Sequence, residues 1–322
     1  MNSYSFLERQ LHKLVLSPKW LREAMFDFEK SMFLNGNYKT HLDHIFITGL
    51  ARSGTTTLLN AIYSSDKFGT LSYSDMPFLM APNLWSLISF KNNDVQAIER
   101  AHKDGIRISK KSPEAFEEVF WKTFNADEET AQNFQEYIQL ILINKNRRRY
   151  LSKNNQNIKR IDFLVKEFPK SFFLIPFRDP LQHSNSLLTQ HINFCMQAEK
   201  NKFISQYMFL IGHSEFGSTY KPMIYSNIEY LDFFSLNHWL EQWYLTYCSL
   251  LEKFSNLENV IFICYEDLCD NPKTWMSLKN KLAISEPLEF NFIKSKKNIT
   301  KEFSSNLEKK CLDLYMQLKK NS

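Results

Sequence analysis

The stretch "HIFITGLARSGTTTLLNAI", residues 44–62, decides how this chain folds. Its first five residues, His44 to Thr48, are apolar and β-branched without polar alternation, as in a strand buried on both faces of a parallel sheet. Gly49 and Gly54 then stand five apart, and Leu58, Leu59 and Ile62 recur at helical spacing. The order is strand, glycine loop, helix. A helix that begins at such a loop turns several backbone N–H groups and its positive dipole end toward one anion. A nucleoside-triphosphatase would place Lys and then Ser or Thr after the second glycine. Here Thr55 and Thr56 stand there, and the nearby cation is Arg52, inside the loop. Ser53, Thr55 and Thr56 add hydroxyl donors. The competing reading is a tight turn with a surface arginine.

Working outward, "FGTLSY" (68–73), "RRRYLSK" (147–153), "SFFLIPF" (171–177) and "NVIFICYEDL" (259–268) read as further strands. Between them, "SPEAFEEVFWKTF" (112–124) has Ser112 as N-cap and Pro113 at the first helical position. "NIKRIDFLVKEF" (157–168), "LQHSNSLLTQH" (181–191) and "LNHWLEQWYLTYCSLLEKF" (236–254) also read as helices. Alternating strands and helices imply an α/β fold: a central parallel sheet flanked by helices in three layers, P-loop-like. Residues 1–40 form a helical preface to one domain spanning 1–322, and 190–235 form an irregular insertion, a lid or acceptor-binding segment. Ligands of such sheets sit at the carboxyl ends of the strands. The loop after Thr48, Lys153, Arg178 and Tyr265 all fall there. Arg147, Arg148 and Arg149 fall at the opposite end and read as solvated charges, and Trp239, Trp243, Tyr244 and Tyr247 as core.

Composition bounds the function. The 322 residues are 43% hydrophobic, with 28 Phe and 14 Tyr, enough for a sizeable core. The net charge of +5 suits an anionic ligand, but the charges are too dispersed to argue for nucleic acid. Five cysteines without metal-ligand or CxxC spacing read as reduced thiols in a cytoplasmic protein, and no metal is expected. Charges interrupt the apolar residues of the N-terminus, unlike a signal peptide, and no run reaches the length of a membrane span.

A second element resembles an anion site. "FRDPLQHSNS" (177–186) places Arg178 at a strand end and Ser186 eight residues on, about two turns into the next helix. The alternative for Arg178 is a pair with Asp179 or another carboxylate.

With both elements in hand, the chain resembles the sulfotransferases that use 3′-phosphoadenosine-5′-phosphosulfate (PAPS), in particular bacterial, carbohydrate-type or protein-tyrosine-type members with arginine in the loop. "ITGLARSGTTTLLNAI" is similar to their 5′-phosphosulfate loop, "FFLIPFRDPLQHSNSLL" to their 3′-phosphate motif, and "VIFICYEDLCDNP" to a strand end common among them. The resemblance implies PAPS as sulfuryl donor, held by Arg52, Ser53, Gly54, Thr55, Thr56, Thr57, Lys153, Arg178, Ser186 and Tyr265. It also explains the missing lysine, because the donor has no γ-phosphate. Arg52 would act electrostatically, because an arginine stays charged and is a poor proton donor.

The acceptor would be a hydroxyl, a carbohydrate first, with lipid or protein tyrosine behind it. Candidates for its base are Asp75 in "SYSDMPF", whose alternative is an Asx turn or N-cap, and His213 with Glu215 in "GHSEFG". Glu114, Glu117 and Glu118 form a third carboxylate group, read as a solvated helix face. Two other functions remain open: a P-loop kinase or nucleoside-triphosphatase with Asp179 holding metal, and a non-catalytic nucleotide-binding protein.

Overall fold

The computed structural model describes residues 6–34, 41–89, 98–99, 107–124, 128–200, 202–285, 290–294 and 296–322. Two amphipathic helices, α1 (Phe6–Leu16) and α2 (Lys19–Phe33), precede strand β1 (Ile45–Ile47), and the glycine loop leads into α3 (Thr55–Tyr63). Strand β2 (Phe68–Gly69) and α4 (Pro82–Ile88) follow, then a small antiparallel ribbon of β3 (Ile98–Glu99) and β4 (Arg107–Ile108). Next come α5 (Glu118–Thr123), α6 (Glu128–Lys145), β5 (Arg149–Lys153) and α7 (Ile161–Glu167). Strand β6 (Phe172–Phe177) feeds α8 (Pro180–Lys200), followed by α9 (Lys202–Leu210) and α10 (Leu236–Phe254). The chain ends with β7 (Val260–Cys264), α11 (Tyr265–Asp270), α12 (Pro272–Lys281) and α13 (Ser305–Lys320).

The main sheet has the order β2-β5-β1-β6-β7, every pair parallel. Ile47 lies level with Lys153 on one side and Leu174 on the other, so the loops after β1, β5 and β6 leave from one edge. The pleat sends alternate residues of β1 to opposite faces. Phe46 stacks on Phe173 with ring centroids 5.2 Å apart, in the core that holds Phe134, Tyr137, Trp243 and Tyr247. Ile45 and Ile47 enter a second core with Leu58, Leu59, Ile62 and Leu174. Both faces are covered, which is why β1, β6 and β7 read as unbroken apolar runs.

Several local expectations fail. β2 stops at Gly69, because the backbone N–H and hydroxyl of Ser72 bond the carboxylate of Asp75 and close a short 3₁₀ turn at Tyr73–Asp75. Ser112 caps no helix: its hydroxyl accepts the N–H of Ser109, and Pro113 forms a bridge with Ser72. The helix therefore begins at Glu118, and the three glutamates of that segment are buried rather than solvated. α8 runs on to Lys200 because Leu187, Leu188, His191 and Phe194 continue its buried face, and α9 follows, so the irregular stretch shrinks to 211–235. Tyr265 opens α11 instead of extending the strand. Arg149 is buried, its guanidinium bonded to the carbonyls of Asp43 and Leu282 and paired with the Asp43 carboxylate. Trp239, Trp243 and Tyr247 are buried, as their spacing predicts, with Tyr244 packed against them.

Candidate functional site

A cleft of about 410 Å³ opens at the carboxyl edge of the sheet. Its floor is the glycine loop. Gly54, at φ 100°, ends the loop and precedes Thr55 with no side-chain cap, which leaves the first-turn N–H groups of α3 as anion donors. A Cβ at Gly54 would lie 2.3 Å from the ring of Tyr265, so glycine is required both for the backbone and for the close approach of that ring. Arg52 also has a positive φ, 70°.

The cleft gathers three cations from three elements: Arg52 from the loop, Lys153 from the end of β5 and Arg178 from the end of β6. Nη1 of Arg178 donates to the carbonyl of Arg52 at 3.1 Å, and Nε of Arg52 donates to the hydroxyl of Ser186 at 3.3 Å. His183, on the same helix as Ser186, donates from Nε2 to the carbonyl of Ala51 at 2.8 Å. Complete burial, and then the nearby Arg178, lower the His183 pKa to about 3, so the ring is the neutral donor this bond needs. The two sequence elements are thus bonded into one unit. His183 lies inside the Arg178–Ser186 motif, but an interior histidine carries no sequence mark of this role.

Thr56, Thr57, Asn60 and Tyr265 also line the cleft. Thr55 bonds the Asn155 side chain at 3.4 Å, and that asparagine, just past Lys153, carries no motif or spacing that marks it in the sequence. Burial raises the Tyr265 pKa, and its hydroxyl donates to the carbonyl of Ile293. Ser53 departs from expectation. It is fully buried, its hydroxyl faces Gly49 and Tyr247, and its N–H bonds the Leu50 carbonyl, so it offers the cleft no donor.

The far end of the cleft carries Glu114, Met208, His213, Glu215 and Phe216. Glu114 lies 3.8 Å from Lys153 and accepts the N–H of Ala115 and the hydroxyl of Tyr73. Nε2 of His213 meets the carbonyl of Ala115 at 3.0 Å, which fixes Nε2–H as donor and leaves Nδ1 as acceptor. Asp75 is elsewhere: it is buried, 2.6 Å from Lys145 and committed to Ser72, outside the cleft lining. The turn reading of Asp75 is the one the geometry favours. Glu117 and Glu118 are structural. Glu117 accepts from Tyr150, Ser152, Trp121 and Asn157, and Glu118 pairs with Arg160. Asp179, the acid that a kinase would need for metal, caps α8 by accepting the N–H of Gln182.

The tail closes the other end with Phe290, Asn291 and Ile293. In the basic segment "KSKKN" (294–298), Lys294 pairs with Asp270, while the backbone of Lys297 is bonded twice to Gln182. The apolar neighbours of these lysines, rather than the lysines, line the cleft; Ser295 lies outside the described residues. Among the described residues no group of His, Cys, Asp and Glu could hold a metal ion, no helix is long and apolar enough to cross a membrane, and all five cysteines are free thiols.

The comparisons agree with this architecture. A profile described as "Sulfotransferase family" matches residues 44–278, so the chain belongs to the sulfotransferase family and is a sulfotransferase enzyme. The fold is similar to that of a sulfotransferase from Mycobacterium tuberculosis H37Rv, with a TM-score of 0.51 and 11% identity over 98% of this chain and 86% of the other. A sulfotransferase from Alicyclobacillus acidocaldarius matches with a TM-score of 0.42 and 13% identity, over 87% of this chain and 93% of that one. Curated protein sequences give no match.

Proposed function

We propose that the protein moves a sulfuryl group from PAPS to an acceptor hydroxyl, with a carbohydrate as the first acceptor class. The observation that carries this reading is the bonded pair of cationic sites, Arg52 at the loop and Arg178 with Ser186 at α8, opening on one cleft. A ligand with two separated anionic groups fits that pair. The donor supplies an activated sulfuryl group and leaves as adenosine 3′,5′-bisphosphate. The N–H groups at the start of α3 and the hydroxyls of Thr56 and Thr57 hold its 5′ end. Arg52 and Lys153 offset charge on the transferring group, and Arg178 and Ser186 hold the 3′-phosphate. Tyr265, pressed on Gly54, shapes the nucleoside side.

His213 takes the acceptor proton at Nδ1, since Nε2–H is committed to Ala115. Glu114 is the weaker base, because Lys153, Tyr73 and the Ala115 N–H already occupy its oxygens. The five free thiols suit a reducing compartment, the cytoplasm.

Thermal denaturation with adenosine 3′,5′-bisphosphate and with ATP plus magnesium tests the reading. At a hundredfold its Kd the bisphosphate should add about 2.7 kcal/mol, and Arg178→Ala should lose most of it. Stabilisation by ATP with magnesium alone would refute the assignment.

A further inference from the structure

The matched family region ends at residue 278, yet the contacts that hold Arg178 continue to residue 315. Behind Arg178 stands Glu266, on the first turn of α11. One carboxylate oxygen accepts the N–H of Asp179 at 3.1 Å and lies 3.9 Å from Nε of Arg178. The other oxygen accepts the hydroxyl of Tyr315, from the C-terminal helix α13, at 3.3 Å, and the Cys264 thiol at 3.5 Å. The ring of Tyr315 packs edge-on against Phe177, the residue before Arg178. Lys319 of the same helix pairs with Asp267 at 2.7 Å, and the hydroxyl of Ser322 accepts the N–H of Cys264. The C-terminal helix therefore grips the β7–α11 corner at several points. From that corner Tyr265 reaches the floor of the cleft and Glu266 reaches its arginine.

We infer that Tyr315 and Glu266 are positioning residues for the 3′-phosphate site: the Tyr315 hydroxyl fixes the Glu266 carboxylate, which orients the Arg178 guanidinium. The inference rests on the donor reading given above. Glu266 is an anion near an anion site, so a rotated carboxylate would repel the ligand as well as release the arginine. A hydroxyl that pins it away from the cleft contributes on both counts. The effect is specific for the 3′-phosphate, because Arg52, Lys153 and the start of α3 hold the other end of the ligand.

The test is the ratio of affinities for adenosine 3′,5′-bisphosphate and adenosine 5′-monophosphate, measured calorimetrically on the full chain. Tyr315→Phe keeps the ring against Phe177 and removes only the hydroxyl. It should cut the ratio about tenfold, the lower end of what one hydrogen bond to a charged group is worth, while affinity for the monophosphate stays within about twofold. Glu266→Gln keeps the side-chain shape and should also lower the ratio. With donor as the varied substrate, Tyr315→Phe should raise KM and leave kcat nearly unchanged. An unchanged ratio in Tyr315→Phe, or an equal loss for both ligands, overturns the inference while the donor reading stands. A wild-type protein that does not prefer the bisphosphate removes the 3′-phosphate site, and both readings fall.

Discussion

Replacing Gly54 by alanine should damage the fold and the site together, through one atom. The new Cβ would lie 2.3 Å and 2.6 Å from two carbons of the Tyr265 ring, well inside any real contact. The backbone there has φ 100°, which costs an L residue about 1–2 kcal/mol. Overpacking against a buried ring adds about 1–3 kcal/mol, for a total of about 2–5 kcal/mol. Over 322 residues the unfolding entropy is about 0.7 kcal/mol/K, so the melting temperature should fall by about 3–7 °C. Tyr265 cannot yield without consequence, since its hydroxyl bonds Ile293 and Arg178 lies over its ring at 5.7 Å. Affinity for adenosine 3′,5′-bisphosphate should therefore fall about tenfold, as for a loss of 1.4 kcal/mol. The decisive assay is a double-mutant cycle with Tyr265→Ala, read by chemical denaturation. Removing the ring should cancel the overpacking share of the cost, about 1 kcal/mol or more of coupling, and leave the backbone share. A Gly54→Ala cost that is the same with and without the ring would refute the reasoning.

Two further predictions concern buried titratable residues. Asp75→Ala should lower stability by about 3–5 kcal/mol, because it strands a half-buried Lys145 and opens the Ser72 turn, while kcat stays within about threefold; a loss of transfer without loss of stability would return Asp75 to the base's role. Burial lowers the pKa values of His44 and His191 to about 4 and that of His183 to about 3, against 6.5 when unfolded. The unfolded chain thus binds more protons in this window, so stability is full above pH 6.5 and is lost as pH falls from there toward 4, each ring contributing up to about 1.4 kcal/mol per pH unit. Urea titrations at pH 7 and pH 5 check this, and His183→Gln, which keeps a donor for the Ala51 carbonyl, should flatten the slope.

The sequence by itself determined the sheet and the floor of the site. β1, β6 and β7 are buried on both faces, so their apolar runs announce them without tertiary context. The glycine loop and the Arg178–Ser186 motif are local, each within one turn and the helix after it, and their spacing survives folding unchanged. The glutamates at 114, 117 and 118 show where that legibility stopped. Their helix-like pattern suggested a solvated face, but a bridge from Pro113 to Ser72 delays the helix, and the carboxylates turn inward to Lys153, Ser152 and Arg160. Asp75 likewise looked like a base at a strand end until Lys145, seventy residues away, paired with it.

Only the tertiary structure decided which charges face the cleft and which are consumed beneath it. A buried charge takes whatever partner the fold brings within about 4 Å, and partners drawn from distant segments, such as Lys145 for Asp75 or Tyr315 for Glu266, leave no spacing in the sequence to read.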